Sequence, residues 1–213
     1  MENYFFDFDG TLADSGDAAA IAIQKSFKKE GYPVPNRDEI DYYMGIPIEI
    51  SFPKMAHVDM TEDQLQQLMS VFRLDYRQIE EKYLCLFDGI KNVLQQLTNC
   101  QKKLFVVSSK HSNALLRNLD QLGITEYFTS IIGSDNVSHF KPHPEGILLL
   151  MKKYQLDPAQ SVMIGDAIFD IQMGKSAYVH TAAVCWGAHK SEELAKENPD
   201  YLLTQPNEIL SIK

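Results

Sequence analysis

The chain of 213 residues lacks three things: an apolar run of membrane-spanning length, a basic N-terminal region leading into an apolar stretch and cleavage site, and an excess of positive charge. The first absence argues against a bilayer-spanning helix. The second gives no reason to expect export. The third bears on partners. The 20 Lys and Arg stand against 29 Asp and Glu, a net charge of -9, whereas nucleic acids and anionic membranes reward dense positive charge. Neither is an expected partner, and an anionic substrate must be attracted locally, by a metal ion or a few cations. Cysteine is scarce as well. Cys85, Cys100 and Cys185 are odd in number and widely spaced. They form neither a disulfide framework nor a zinc pattern, and they suit free thiols in a reducing, cytoplasmic setting. No internal repeat or low-complexity tract is present. With 45% apolar and 23% charged residues, the chain has an ordinary globular composition, long enough for one domain or one domain with a small insertion.

What is present is concentrated at the start. Asn3-Tyr4-Phe5-Phe6-Asp7-Phe8-Asp9-Gly10-Thr11 is an aromatic run that meets two carboxylates one residue apart and breaks at a glycine. Tyr4 to Phe6 and Phe8 read as a strand buried on both faces. Alternation sends Asp7 and Asp9 to the same side. Two like charges at the end of a buried strand are costly unless compensated, and a shared divalent cation compensates them. A strand that simply ends in a Gly turn needs no cation, so the rest of the chain has to decide.

Asp14 or Ser15 can cap a helix from about Asp17 to Glu30, a second helical segment covers Arg37 to Met44, and Thr61 caps a long third. Residues 16–82 thus read as all-helical. Strands then alternate with helices: Leu104 to Val107, Ser130 to Ile132, Ser161 to Ile164, Thr181 to Val184 and Tyr201 to Leu203 are strands. Helices run from Ile90 to Leu97, Ser112 to Leu122, Pro144 to Tyr154 and Ile168 to Ser176. That alternation predicts an α/β fold, a Rossmann-like three-layer core around a parallel sheet. The core comprises residues 1–15 and 83–213, with the α-helical segment of residues 16–82 inserted as a second domain after the first strand.

Ligands gather at the carboxyl ends of strands in such a sheet. This chain puts polar residues there four times: Asp7 and Asp9, then Ser108-Ser109-Lys110, then Lys141-Pro142, then Gly165-Asp166 with Asp170. Each has an ordinary explanation as a helix cap or a solvated loop residue. Together, in chain order, they surround one sheet edge. These residues resemble the four motifs of the haloacid dehalogenase superfamily. Asp7-Phe8-Asp9-Gly10-Thr11, Ser108, Lys141 and Gly165-Asp166-Ala167-Ile168-Phe169-Asp170 carry the resemblance, which spans essentially the whole chain. The helical insertion is similar to the cap of the phosphoglycolate-phosphatase-like branch.

The resemblance implies a Mg²⁺-dependent phosphatase that hydrolyses a small phosphorylated metabolite through an aspartyl-phosphate. Asp7 is then the nucleophile and Asp9 the general acid and base. Asp7 and Asp166 offer side-chain oxygens to the metal, Asp9 its backbone carbonyl, and Asp170 supports the metal shell. Ser108, with the backbone amides of Asp9 and Ser109, holds the phosphoryl oxygens, and Lys141 neutralises charge on Asp7 and the phosphate. The second motif carries Ser109 where Asn is common. A phosphosugar mutase and an inorganic pyrophosphatase are the alternatives on the same scaffold; oligomeric state is not fixed.

Other polar and aromatic residues carry less weight. Tyr42 and Tyr43 lie where related proteins place a substrate-facing loop, but packing inside the insertion explains them equally. Arg73 and Arg77 read as a solvated face, Trp186 and His189 as structural or exposed, and His111 as at most a neighbour of the site. Phosphonate cleavage needs an amine near the site, and Lys25, Lys28 and Lys29 sit at solvent-facing helical positions.

Overall fold

The computed structural model describes residues 1–213. Its centre is a six-stranded, wholly parallel sheet. Strand β1 (Asn3–Phe6) pairs with β4 (Lys103–Val107) on one side and β6 (Ser161–Gly165) on the other. Outside these lie β5 (Ser130–Ile132) next to β4, and β7 (His180–Val184) and β8 (Tyr201–Leu203) beyond β6. Because the strand order reverses direction at β1, the crevice outside its carboxyl end is the natural ligand site.

Period-two alternation explains both faces. Tyr4 and Phe6 join one apolar cluster with helices α5 (Ile90–Asn99) and α6 (Ser112–Leu122). Phe5 points the other way, into a second cluster with α7 (Glu145–Tyr154) and α8 (Ile168–Ser176). Each of these aromatic side chains, at most 2% exposed, contributes roughly 1.5–3 kcal/mol by burial. A short helix, α9 (Ser191–Lys196), which the sequence reading lacks, covers β7 through Leu194.

Between β2 (Ala13–Asp14) and β3 (Cys85–Leu86) come four helices: α1 (Gly16–Lys29), α2 (Arg37–Tyr43), α3 (Ile48–Ala56) and α4 (Glu62–Tyr83). They bury their own apolar cluster, including Ile23, Phe27, Ile40, Phe52, Met55 and Leu68. Ala18, Ala19 and Ala22 give α1 a small-residue face against which Tyr76 of α4 packs. Thr61 caps α4 as expected, with Gln64 completing a reciprocal capping box. Ser15 takes the N-cap position of α1, but its buried hydroxyl makes no capping bond.

Two further features depart from the sequence reading. β2 and β3 form a two-residue antiparallel ribbon, Ala13 opposite Leu86 and Asp14 opposite Cys85, at the root of the insertion. Helix α3 follows Pro47 and contains Pro53, two residues that mask its helical pattern. No helix is long and apolar enough to cross a membrane.

Candidate active site

β1 ends at Phe6, so the next residue, Asp7, stands at the carboxyl edge of the sheet, flanked by Ser108 after β4 and Asp166 after β6. Asp7, Asp166 and Asp170 each bring a carboxylate oxygen within 4.8 Å of the others, and all three are buried. Only one cation reaches them. Lys141 Nζ donates to Asp170 Oδ1 at 2.6 Å and lies 2.8 Å from Asp7 Oδ1. The second contact is an ion pair without hydrogen-bond alignment, which leaves Asp7 Oδ1 without a hydrogen-bond donor. Asp166 is held by Thr11 Oγ1 at 2.9 Å and the Ala188 amide at 2.8 Å. The Ala167 amide donates to Asp170 Oδ2 at 3.1 Å. Gly10, at φ +78°, passes so close to the Asp166 carboxylate that a Cβ would collide with it. Glycine is thus required there for both conformation and space.

Three carboxylates against one ammonium leave the cluster short of positive charge. Burial, opposed by Lys141 and reinforced by Asp170, pushes Asp7 up to about 7. Burial, reinforced by Asp7 and Asp170, pushes Asp166 up to about 8. For Lys141, burial alone would favour the neutral amine, but Asp170 and Asp7 outweigh it and keep the ammonium charged. The backbone carbonyl of Asp9 accepts no hydrogen bond from the chain. An all-oxygen donor set, three buried carboxylates against one ammonium and a free carbonyl fit a hard divalent cation such as Mg²⁺.

The Asp9 carboxylate does not join this cluster. The chain has left the strand by Asp9, so alternation no longer sets the side chain's direction. The carboxylate pairs with Lys110 Nζ at 2.9 Å instead. The pattern that pointed to a cation shared between Asp7 and Asp9 side chains is corrected in this respect, because Asp166 and Asp170 are the carboxylates beside Asp7.

A cavity of about 350 Å³ opens between the sheet edge and the helical insertion, with Asp7, Asp9, Ser108 and Ser109 in its wall. The backbone amides of Asp9 and Ser109 donate to no acceptor in the chain, and the Ser108 hydroxyl accepts from the Lys110 amide at 3.2 Å, which leaves its proton free. The Ser109 hydroxyl faces elsewhere and donates to Gly45 O, in the loop between α2 and α3, at 2.6 Å. Arg73 and Arg77 line the cavity rather than a purely solvated face, and Arg73 pairs with Glu49 at 3.1 Å. Tyr43 also lines it, whereas Tyr42 is 55% exposed and stacks near His189. Trp186 is structural, donating to Thr11 O at 3.1 Å. Lys25 and Lys29 pair with Asp75 at 2.8 and 2.9 Å, away from the cavity.

The residue that sequence reasoning named without assigning a role is Lys110. Its side chain is 13% exposed. Burial opposes its charge, but Asp9 and Tyr76 more than offset this and its pKa is raised. The only sequence signal was its place in the motif after β4.

Residues 4–184 match the family model described as haloacid dehalogenase-like hydrolase. The pyrophosphatase PpaX of Oceanobacillus iheyensis is 30% identical over 212 residues, covering 100% of this chain and 96% of that protein. A phosphoglycolate phosphatase of Vibrio parahaemolyticus is 28% identical over 213 residues, covering 97% and 93%. Among solved structures, a predicted phosphoglycolate phosphatase from Haemophilus somnus 129pt superposes with a TM-score of 0.91 at 24% identity, covering 99% of this chain and 97% of that one.

Proposed function

The chain belongs to the haloacid dehalogenase-like hydrolase family and is a phosphatase of that family, and on that premise we propose that it hydrolyses a small phosphomonoester, such as 2-phosphoglycolate, through a phosphorylated Asp7. The observation that carries this reading is the convergence of Asp7, Asp166, Asp170 and Lys141 behind a cavity that Asp7 enters beside unengaged amides. Asp7, Asp166 and Asp170, with the Asp9 carbonyl, would hold Mg²⁺, which when bound offsets the charge of a phosphoryl group facing a carboxylate.

In this reading the Asp7 carboxylate attacks phosphorus and the ester oxygen departs, protonated by Asp9. Asp9 then takes a proton from water, which cleaves the aspartyl-phosphate and releases inorganic phosphate. Ser108 and the amides of Asp9 and Ser109 receive the phosphoryl oxygens, aimed where charge sits in the transition state. Lys141 fixes Asp7 against Asp170. Residues 16–82 act as a cap that closes over the cavity, turning on the Ala13–Asp14 and Cys85–Leu86 ribbon, with a cytoplasmic metabolite as the partner.

The name of the PpaX relative favours a second substrate, pyrophosphate, whose leaving group needs no proton from Asp9. Phosphate release across a panel containing 2-phosphoglycolate, pyrophosphate, sugar phosphates and nucleoside monophosphates tests both. Turnover without a sugar bisphosphate separates hydrolysis from a mutase. Failure to release phosphate from every compound, with Mg²⁺ present, would end the proposal.

A metal prediction follows from the raised carboxyls. Asp7 and Asp166 titrate near 7 and 8 in the fold against about 3.9 unfolded. A raised carboxyl favours the fold below its unfolded pKa, and that stability is lost as pH rises through the folded value. The metal-free protein therefore loses this contribution between about pH 4 and pH 8, while Mg²⁺ meets less competition from protons. The rise in melting temperature on adding Mg²⁺ is expected to grow from about pH 5.5 to pH 8 and to vanish in Asp166→Ala. A pH-independent shift would contradict the assignment, as would full activity in excess chelator.

A further inference from the structure

We propose that Lys110 is a positioning residue that ties the acid–base carboxylate of Asp9 to the docking of the helical insertion. The inference rests on the proposed role of Asp9 and adds the residue that places it.

Lys110 lines the cavity, which suggests a phosphate-binding lysine, but its hydrogen bonds point elsewhere. Nζ donates to Asp9 Oδ1 at 2.9 Å, to Asn118 Oδ1 at 2.9 Å and to the Tyr76 hydroxyl at 3.1 Å. An ammonium has three protons, so none is left for a ligand. The same nitrogen sits 4.9 Å from the ring centroids of both Phe8 and Tyr76. Aromatic faces and hydrogen bonds together hold it in one place.

Two of the three acceptors depend on the insertion. Tyr76 belongs to α4. Asn118 belongs to α6, but its Nδ2 donates to Glu80 Oε2 at 2.9 Å, and Glu80 is also on α4. Arg117 holds the other Glu80 oxygen at 2.7 Å. Tyr76 and Glu80 are four residues apart and so share one face of the helix. That face reaches Lys110 twice, directly through Tyr76 and through Asn118. The chain enters and leaves the insertion through the short ribbon of β2 and β3, a two-stranded sheet separate from the six-stranded one. If α4 lifts, Lys110 loses Tyr76, Asn118 loses Glu80, and the ammonium that fixes Asp9 is released. Such coupling is reciprocal: what docks α4 orders Asp9, and what orders Asp9 docks α4. The acid–base steps are thereby confined to the docked state, while Asp7, Lys141, Asp166 and Asp170 contact one another without any residue of the insertion.

Rapid mixing of p-nitrophenyl phosphate with Lys110→Met and Tyr76→Phe, in Mg²⁺, tests this. The p-nitrophenolate ion departs unprotonated, so phosphorylation of Asp7 survives a misplaced Asp9, whereas hydrolysis of the aspartyl-phosphate does not. Each variant is expected to release a burst approaching one p-nitrophenolate per site. Steady turnover then runs slower than wild type, by about 10²-fold for Lys110→Met and by roughly 3- to 10-fold for Tyr76→Phe. A merely structural or ligand-binding role lowers burst and turnover together, and that result overturns the proposal, as does wild-type turnover in both variants. Tyr76→Phe keeps its ring and volume, so the test stands if Lys110→Met does not fold. Wild-type protein that releases neither p-nitrophenolate nor phosphate from any compound of the metabolite panel sinks the phosphatase reading itself, and this inference with it.

Discussion

Asp7→Asn is expected to lower turnover by at least ~10⁴-fold, equivalent to about 5–6 kcal/mol of transition-state stabilisation, while leaving the protein folded. Asparagine is nearly the same size and shape, so the packing around a residue 2% exposed is preserved. What disappears is the anionic oxygen that bonds to phosphorus, and no neighbouring group replaces it. Asp166 has both oxygens held by Thr11 and Ala188, and Asp170 is held by Lys141 and Ala167. The metal-free variant should melt no lower than wild type above about pH 7, because a carboxyl raised by burial and by Asp170 has been replaced by a neutral group. The loss of the Lys141 ion pair opposes this gain but leaves Lys141 bonded to Asp170. Activity on p-nitrophenyl phosphate, melting temperature and the mass of acid-quenched protein decide the matter. A variant that keeps more than about 1% of wild-type turnover, or still acquires a phosphoryl group, shows that another residue is the nucleophile.

How much of this was legible beforehand depends on the distance over which each signal acts. The strands of the parallel sheet are short runs buried on both faces, so β1, β4, β6 and β7 stand out as local apolar stretches. The ribbon of β2 and β3 joins Ala13 to Leu86 across the whole insertion; two residues of pairing leave no periodicity to read. Helix α3 is hidden because Pro47 precedes it and Pro53 lies within it.

The site divides in the same way. Asp7, Ser108, Lys141 and Asp166 follow strand ends or lie in the loops beyond them, and Asp170 sits in the first turn of α8 just past Asp166, where the topology of an open sheet gathers ligands. Lys110 follows a strand end too, but its partners lie 101, 34 and 8 residues away in sequence. Its role exists only once α4 is laid over the core. The same holds for Arg73 and Arg77, whose exposed helical positions become a cavity wall only in the folded protein. Asp9 was half legible: the motif locates it, but alternation misdirects its side chain because the strand has already ended.

That turn of the Asp9 side chain shapes the second large effect. Asp9→Asn is expected to cost at least ~10³-fold on an alkyl phosphate such as 2-phosphoglycolate, within the range of acid–base catalysis, and to do so without disturbing the site. Its backbone amide and carbonyl are unchanged, so the phosphoryl and metal contacts proposed for them persist. The side-chain oxygen can still accept from Lys110, so the link to Tyr76 and Asn118 need not break. Only proton transfer is lost. An alkoxide leaves poorly without a proton, so with an alkyl phosphate the first step fails and no phosphoenzyme forms. With p-nitrophenyl phosphate the first step proceeds and the second stalls, because water is no longer deprotonated. Aspartyl-phosphate should then accumulate on Asp7, visible as a single burst of p-nitrophenolate and as added mass on the quenched protein. The ratio of single-turnover rates on the two substrates separates this variant from Asp7→Asn, which blocks phosphorylation by both. If Asp9→Asn slows single turnover of the two substrates equally and no phosphoenzyme can be trapped, Asp9 is not the acid and base, and the hold that Lys110 has on it serves some other end.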